Sequence, residues 1–325
     1  MRAVFISRHG GPEVLEVRER RDPQVAPGEV RVEVRAAGIN FADLLARTGM
    51  YPDAPKPPCV IGYEVAGVVE SVGTGVESVA VGDRVMAATR FGGQAELCTV
   101  AERDVMPLPD RLSFEQGAAV PVNYGTAYAG LVLMGGLREG DRVLIHAAAG
   151  GVGLIASQWA KLLGLRVIGT VSTEAKAELA MASGCDEIIF YRREDVPERV
   201  RALTGGEGVT TVYDTVGKDT YEGSLKSLKR RGVLVGCGTA SGPFPPIDAL
   251  QLAIQGSVYF TRPALADFIA NPAERAELSE ALFSHVAAGR IKININQRYD
   301  LADAVQAHRD LEAGKTTGSS IFVIR

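Results

Sequence analysis

The segment Val143-Leu144-Ile145-His146-Ala147-Ala148-Ala149-Gly150-Gly151-Val152-Gly153-Leu154 constrains this chain more than any other. An apolar run stops at a glycine-rich turn, and a helical pattern begins at once. Such a turn aims free backbone N–H groups and the positive helix end at an anion, and its glycines let the backbone come close. That is how a pyrophosphate is laid against a helix N-terminus. Ala147, Gly150 and Gly153 take the three turn positions, with Gly151 added. Taken alone, the segment also reads as an ordinary tight turn after a strand, so the rest of the chain has to decide.

Around this turn the chain alternates strand and helix. Strand signals fall at Arg142–His146, Arg166–Thr170, Glu187–Tyr191, Val209–Asp214, Gly232–Gly236 and Ser257–Thr261. Most are short and rich in Val or Ile, as buried parallel strands are. Helical patterns at Val152–Leu163, Thr173–Ala182 and Asp195–Thr204 stop at or near Gly164, Gly184 and Gly205-Gly206. Six strands with helical crossovers predict a doubly wound parallel α/β sheet.

The flanks differ. Residues 1 to about 122 hold short strand candidates, among them Glu29–Ala36, Val65–Val72 and Ala95–Val100, separated by Gly/Pro/Asp turns such as Ala26-Pro27-Gly28-Glu29. They predict a β-rich, partly barrel-like domain. After about residue 265 the pattern is mixed. Helices are expected at Ala273–Ala288 and at Leu301–Ala313, the second with Asp300 as N-cap, and a last strand at Ser319–Ile324. With 325 residues two domains are natural, and the order suggests one inserted in the other with the site in the cleft between them. A net charge of −4 without a dense basic run argues against nucleic acid and anionic membrane as partners. Cys59, Cys98, Cys185 and Cys237 are scattered, with neither C-x-x-C pairing nor zinc-ligand spacing, which fits a reduced cytoplasmic setting.

Several blocks carry a resemblance, in order along the whole chain. They are Ala37-Gly38-Ile39-Asn40-Phe41-Ala42-Asp43, Gly49-Met50-Tyr51-Pro52, Gly62-Tyr63-Glu64-Val65-Ala66-Gly67, Val81-Gly82-Asp83-Arg84-Val85, His146 through Lys161, Val212-Tyr213-Asp214-Thr215-Val216-Gly217 and Gly318-Ser319-Ser320. The chain resembles the medium-chain dehydrogenase/reductase superfamily, and closely its zinc-free NADPH:quinone oxidoreductase branch. The resemblance implies a GroES-like catalytic domain from both chain ends (residues 1–122 with 266–325). It also implies a central Rossmann NADPH-binding domain at 123–265. Zinc enzymes of the superfamily place a Cys near the first block and a His in Gly-His-Glu. Here Asn40 and Tyr63 stand in those regions, so the soft and imidazole ligands zinc needs are missing and no metal is expected.

The second strand of the alternating region would end at Ser172-Thr173 with Lys176 one turn on. NAD enzymes usually set an Asp or Glu there for the ribose 2′-hydroxyl, whereas hydroxyls and an ammonium suit a 2′-phosphate. Glu174 is nearby, but the family pattern turns it elsewhere. The resemblance adds Tyr191 to the same phosphate site. It assigns Ala149, Gly150, Gly151 and Val152 to the pyrophosphate turn, and Thr126 to the pyrophosphate and nicotinamide ribose. Asn40, Asp43 and Tyr51 are implied at the nicotinamide and substrate end, and Gly238, Arg262 and Ser319 at further cofactor positions. Read without the resemblance, Asn40 is an N-cap for a helix Phe41–Thr48, Thr126 a helix-start residue, Tyr51 a turn aromatic and Lys176 a solvated helix-face lysine. Lys315 reads as a solvated loop lysine.

The implied activity is reduction of quinones by NADPH, by hydride or electron transfer, with Asn40, Tyr51 and Thr126 as the catalytic set. His9, His146, His285 and His308 are dispersed and offer no catalytic histidine. Two alternatives stay open. One is reduction of activated alkenes (2-enones or enoyl thioesters), with Tyr51 or Tyr124 as proton donor. The other is a non-catalytic NADPH-binding protein. The sixth strand, uncharged and at a sheet edge, is expected to pair with its twin in a homodimer.

Overall fold

The computed structural model describes residues 1–51, 54–269 and 271–325; Pro52 of the Gly49–Pro52 block lies outside the described residues. The chain makes two compact units, Asn123–Lys292 and Met1–Val122 with Ile293–Arg325.

In the central unit, six strands form one parallel sheet in the order Glu187–Phe190, Arg166–Val171, Arg142–Ile145, Val209–Asp214, Leu228–Gly236 and Tyr259–Thr261. The strand before the glycine turn lies beside the fourth, so the chain order reverses there. A crevice opens at such a switch point, at the carboxyl ends of the strands. The core takes Leu144, Ile168, Ile189, Val212 and Leu234, one from each of the first five strands, with Val200, Tyr221 and Leu225 from helices. Each such side chain contributes about 1.5–3 kcal/mol by leaving water.

The sixth strand starts at Tyr259 instead of Ser257, because Ser257 sits at φ 57, a left-handed turn that a strand cannot include. The segment 266–292, expected with the outer domain, belongs to the central unit. Its helix Pro272–Ala287 brings His285 edge-on to Trp159, 4.7 Å between ring centroids, and Gln158 Nε2 donates to the Lys292 carbonyl at 3.1 Å.

The other unit is built on two sheets. A three-stranded one holds Arg2–Ile6 between Leu15–Glu19 and Cys59–Val60. A seven-stranded one is centred on the long strand Glu29–Ile39, which pairs with Glu64–Val72, Leu97–Ala101 and Ser319–Val323. The chain's last strand therefore lies directly against its first long one. Val30, Val32 and Val34 alternate into a core with Val65, Val69, Val85 and Phe322. The helix Phe41–Thr48 follows the long strand at once and ends at Gly49, whose φ of 78 suits glycine. The expected helix Leu301–Ala313 opens as a 3-10 turn, Leu301–Asp303, before the α-helix Ala304–Glu312, and the Asp300 side chain makes no cap bond. Among the described residues no helix is long and apolar enough to cross a membrane.

Candidate active site

In the central unit the helix Gly151–Leu162 starts directly after the glycine turn, with Gly150 as N-cap. The three glycines have different reasons to be there. A Cβ at Gly153 would overlap the Ala147 carbonyl oxygen, so this glycine serves helix–strand packing. One at Gly151 would meet the Asn123 side chain at 2.9 Å. One at Gly150 would meet only the Ala147 carbonyl, at 3.3 Å, and Gly150 has φ −81, open to any residue. Little in the protein itself asks for glycine at 150. An approaching anion would, and that is the cradle a pyrophosphate fits. Ala149 is buried, Val152 half-buried, and Ala147 takes φ 50 to turn the chain.

Beneath the turn lies a buried polar chain. Ser224 Oγ donates to Asp214 Oδ2 at 2.7 Å, so it accepts from His146 Nε2 at 3.0 Å, and His146 Nδ1 accepts from Thr170 Oγ1 at 3.1 Å. Asp214 also takes the Val216 and Gly217 N–H groups and the Thr220 hydroxyl. Burial lowers the His146 pKa, against the pull of Asp214. His146 is thus a neutral bridge that ties three strand ends together.

The second and third strands end side by side: the Tyr191 N–H donates to the Val171 carbonyl at 3.3 Å, which sets Ser172 and Tyr191 next to each other. Tyr191 is exposed and Ser172 half-buried. Thr173 caps the next helix by accepting the Lys176 N–H. Burial first, then the charge of Arg192, holds the Lys176 ammonium below its ordinary pKa. Glu174 is bound to Arg193 at 2.7 Å. A lysine whose charge is disfavoured by burial and by a neighbouring arginine is a place where an anion would be favoured. Arg192 is a residue that sequence reasoning did not assign to the site. Elsewhere in this unit, Thr126 is half-buried on the helix Pro121–Ala127 and its carbonyl accepts from Tyr213 Oη at 2.8 Å. Gly238 is required by packing, since a Cβ there would overlap the Thr215 carbonyl. Arg262 is exposed, donates to the Gly236 carbonyl at 3.2 Å and lies over the Phe244 ring.

In the outer unit Asn40 is the N-cap of Phe41–Thr48, but its side chain does more than cap. Nδ2 donates to Glu64 Oε1 at 2.8 Å, and the Asn40 backbone N–H donates to Asp43 Oδ2 at 2.8 Å. Asp43 has no exposed surface, so it supports Asn40 from behind and does not itself line a surface as the sequence suggested. Burial pushes the Asp43 carboxyl up to about 7 and Glu64 up to about 8. Glu64 went unassigned in the sequence, although an acid opening the apolar run Val65-Ala66-Gly67-Val68-Val69 is out of place in a buried strand and was its signal. Tyr51, Tyr63 and Phe91 form an edge-to-face trio with centroids 5.2–5.8 Å apart, and the two hydroxyls are 3.5 Å apart. Phe91 is held at φ 77, a strained conformation for a bulky residue. Ser319 is buried at the start of the last strand. Lys315 is exposed and pairs with Asp310. Tyr124, the other candidate proton donor, has no exposed surface, and desolvation pushes its phenol pKa up.

Two family models match: residues 26–110 as "Alcohol dehydrogenase GroES-like domain" and residues 151–274 as "Zinc-binding dehydrogenase". A quinone oxidoreductase of Salmonella typhimurium is 46% identical over 98% of each chain. The chain belongs to the quinone oxidoreductase branch of the medium-chain dehydrogenase/reductase superfamily. The structure of the Escherichia coli quinone oxidoreductase complexed with NADPH superposes with a TM-score of 0.96 at 42% identity, covering all of both chains. A 2-haloacrylate reductase of Burkholderia is 38% identical over 99% of this chain and 98% of its own. The expected Rossmann-plus-GroES-like fold is that of these quinone oxidoreductases. Although one family model carries zinc in its name, no group of three or more His, Cys, Asp or Glu among the described residues is arranged to hold a metal.

Proposed function

We propose that this chain is an NADPH-dependent quinone reductase that uses no metal. The observation that carries the cofactor half is the Lys176/Arg192 cation pair beside Ser172 and Tyr191, where an NAD enzyme would set a carboxylate. Ala149, Gly150, Gly151 and Val152 would hold the pyrophosphate, with Thr126, Gly238, Arg262 and Ser319 at further cofactor positions. When bound there, NADPH would supply a hydride to an electron-poor ring. The protein's own work is orientation. Asn40 donates to a substrate carbonyl, Tyr51 lies beside it, and the Tyr51/Tyr63/Phe91 trio offers aromatic edges to a flat ring. The hydroquinone oxyanion is a weak base, so no strong acid is needed. None of the four histidines is asked to be one: His146 and His308 are buried, His285 stands against Trp159 and Arg290, and His9 lies 3.3 Å from the Arg47 carbonyl.

The test follows loss of NADPH absorbance with purified protein, against 1,4-benzoquinone and a simple 2-enone, with NADH in parallel. Fast oxidation of NADPH by the quinone is expected. Preference for the enone would move the reading to alkene reduction, with Tyr51 as the remaining proton donor. Tight NADPH binding without turnover would make the chain a binding protein. Lys176→Ala is expected to weaken NADPH by about 1–3 kcal/mol and leave NADH unchanged. An unaltered NADPH affinity would remove Lys176 from the phosphate site.

We also propose a cytoplasmic homodimer. The edge strand Tyr259–Thr261 carries Tyr259, and Leu250 and Ile254 lie on the helix just before it. All three are more than 60% exposed, at 61, 65 and 74%. An open, uncharged edge with an apolar border is a hazard unless paired. Light scattering is expected to give twice the chain mass, and Tyr259→Asp to shift it toward the monomer. A wild-type monomer rejects the proposal.

A further inference from the structure

Glu64 is buried and faced by two hydrogen-bond donors. Asn40 Nδ2 reaches Oε1 at 2.8 Å and the Val122 N–H reaches Oε2 at 2.9 Å. Gly38 makes room for it, because a Cβ there would overlap the Glu64 carboxylate. An ionised carboxylate accepts strongly from both donors at once. A neutral acid carries one O–H, and its hydroxyl oxygen is the weaker acceptor; the backbone donor cannot turn away, so the carbonyl oxygen stays with Val122 and the O–H side faces Asn40. Protonation thus weakens the hold on Asn40 Nδ2 and draws Asn40 Oδ1 toward the O–H in its place.

We propose that Glu64 is a positioning residue: its carboxylate holds one Nδ2–H of Asn40, so that the other is the donor offered to the substrate carbonyl. The proposal rests on the reading of Asn40 given above. Glu64, itself with almost no exposed surface to offer, acts through Asn40, which meets the substrate. The hold depends on the charge of Glu64, which makes it visible in a pH profile. Burial raises the Glu64 pKa to about 8, against the lowering effects of Asn40 and the Val122 N–H and with the repulsion of Asp43. Asp43, on the helix Phe41–Thr48, is the titratable group facing it among the described residues; the other neighbours are the Asn40 amide, the Val122 N–H and the Ala118 carbonyl beside Gly38.

The experiment measures kcat/KM for 1,4-benzoquinone, the NADPH dissociation constant and the melting temperature from about pH 5 to pH 10. It uses the full-length protein and the variants Glu64→Gln, Asn40→Ala and Asp43→Asn. For the unaltered protein kcat/KM is expected to rise about tenfold or more through the Glu64 titration, as an oriented donor to a developing oxyanion is engaged, with NADPH affinity flat. Glu64→Gln offers one acceptor to two donors, so it should stay at the low plateau at every pH. Asn40→Ala, which keeps Glu64, should also lose the inflection. Asp43→Asn should keep it at a lower pH. An inflection that survives in Glu64→Gln, or one that vanishes only in Asp43→Asn, overturns the proposal.

Stability gives a readout that needs no substrate. A carboxyl whose folded pKa is raised contributes stability below its ordinary value, near 4.5, that is lost as pH rises through about 8. The melting-temperature difference between Glu64→Gln and the unaltered protein should therefore widen in favour of the variant over that range. If it widens while kcat/KM stays flat, Glu64 titrates but Asn40 does not serve the substrate, and the proposal falls with that reading. If there is turnover and neither changes, Glu64 alone is misread.

Discussion

Gly150→Ala is expected to raise the NADPH dissociation constant about 10–100-fold and leave the melting temperature nearly unchanged. The methyl group meets one protein atom, the Ala147 carbonyl oxygen at 3.3 Å, which a few tenths of an ångström relieve. The same methyl stands where a pyrophosphate must approach. Loss of one charge-assisted hydrogen bond is worth about 1.5–3 kcal/mol, and each 1.4 kcal/mol is about tenfold in affinity. Gly153→Ala is the matched opposite. Its Cβ would collide with backbone at Ala147 and Ala148, so stability should fall by about 1–3 kcal/mol, typical of overpacking. Fluorescence titration and thermal melting of the two variants read both effects. Equal melting losses, or an unchanged dissociation constant in Gly150→Ala, would contradict the division of roles.

The second large effect lies away from the candidate site. Arg47 is 1% exposed, and its guanidinium bonds Glu312, the Gly10 carbonyl at 3.1 Å and His308 Nδ1 at 3.2 Å. Glu312→Ala leaves that charge buried with neutral partners only. Removing one partner of a buried pair destabilises by about 3–5 kcal/mol, and since Glu312 is itself 38% exposed the loss should lie near 3. Arg47→Met leaves a carboxylate that water can reach, so its loss should be the smaller, about 1–2 kcal/mol. Denaturant unfolding of the pair of variants gives the comparison; the reverse order would mean that Arg47 is not held as described. His308 adds a pH signature. Burial, and then Arg47, lower its pKa to about 3 from an ordinary 6.5. A lowered histidine is neutral in the fold and protonates on unfolding, so its contribution is complete above about pH 6.5. It is lost as pH falls toward 3, by up to about 1.4 kcal/mol per pH unit. In His308→Gln that part of the acid slope should be missing.

These residues show where sequence reading stops. The glycine turn, the six short Val/Ile strands and the helix after Asn40 were legible because each rests on local physics: a left-handed or close-approach position, a buried run, a cap. Arg47 was not. In sequence it is a basic residue in the last turn of a helix, which suits the helix dipole and says nothing of burial. Asp43 reads as a residue of the nicotinamide and substrate end because the family resemblance places it there, and no local pattern tells that its side chain meets the core. The segment 266–292 reads as outer domain because the resemblance assigns both chain ends to that domain. Only Trp159 and Gln158, more than a hundred residues away in sequence, give it an address.

By itself, then, the sequence determined the doubly wound sheet, the turn that can face a pyrophosphate and the lack of zinc-ligand types at Asn40 and Tyr63. Such features follow from residue type and from neighbours close along the chain. Tertiary structure alone decided that Glu64 meets Asn40 and Val122, that Arg192 stands against Lys176, and that Asp43 and Arg47 lose water. Each depends on two segments distant in sequence meeting in space. The energy of a buried charge is set by what surrounds it, and no local pattern records that.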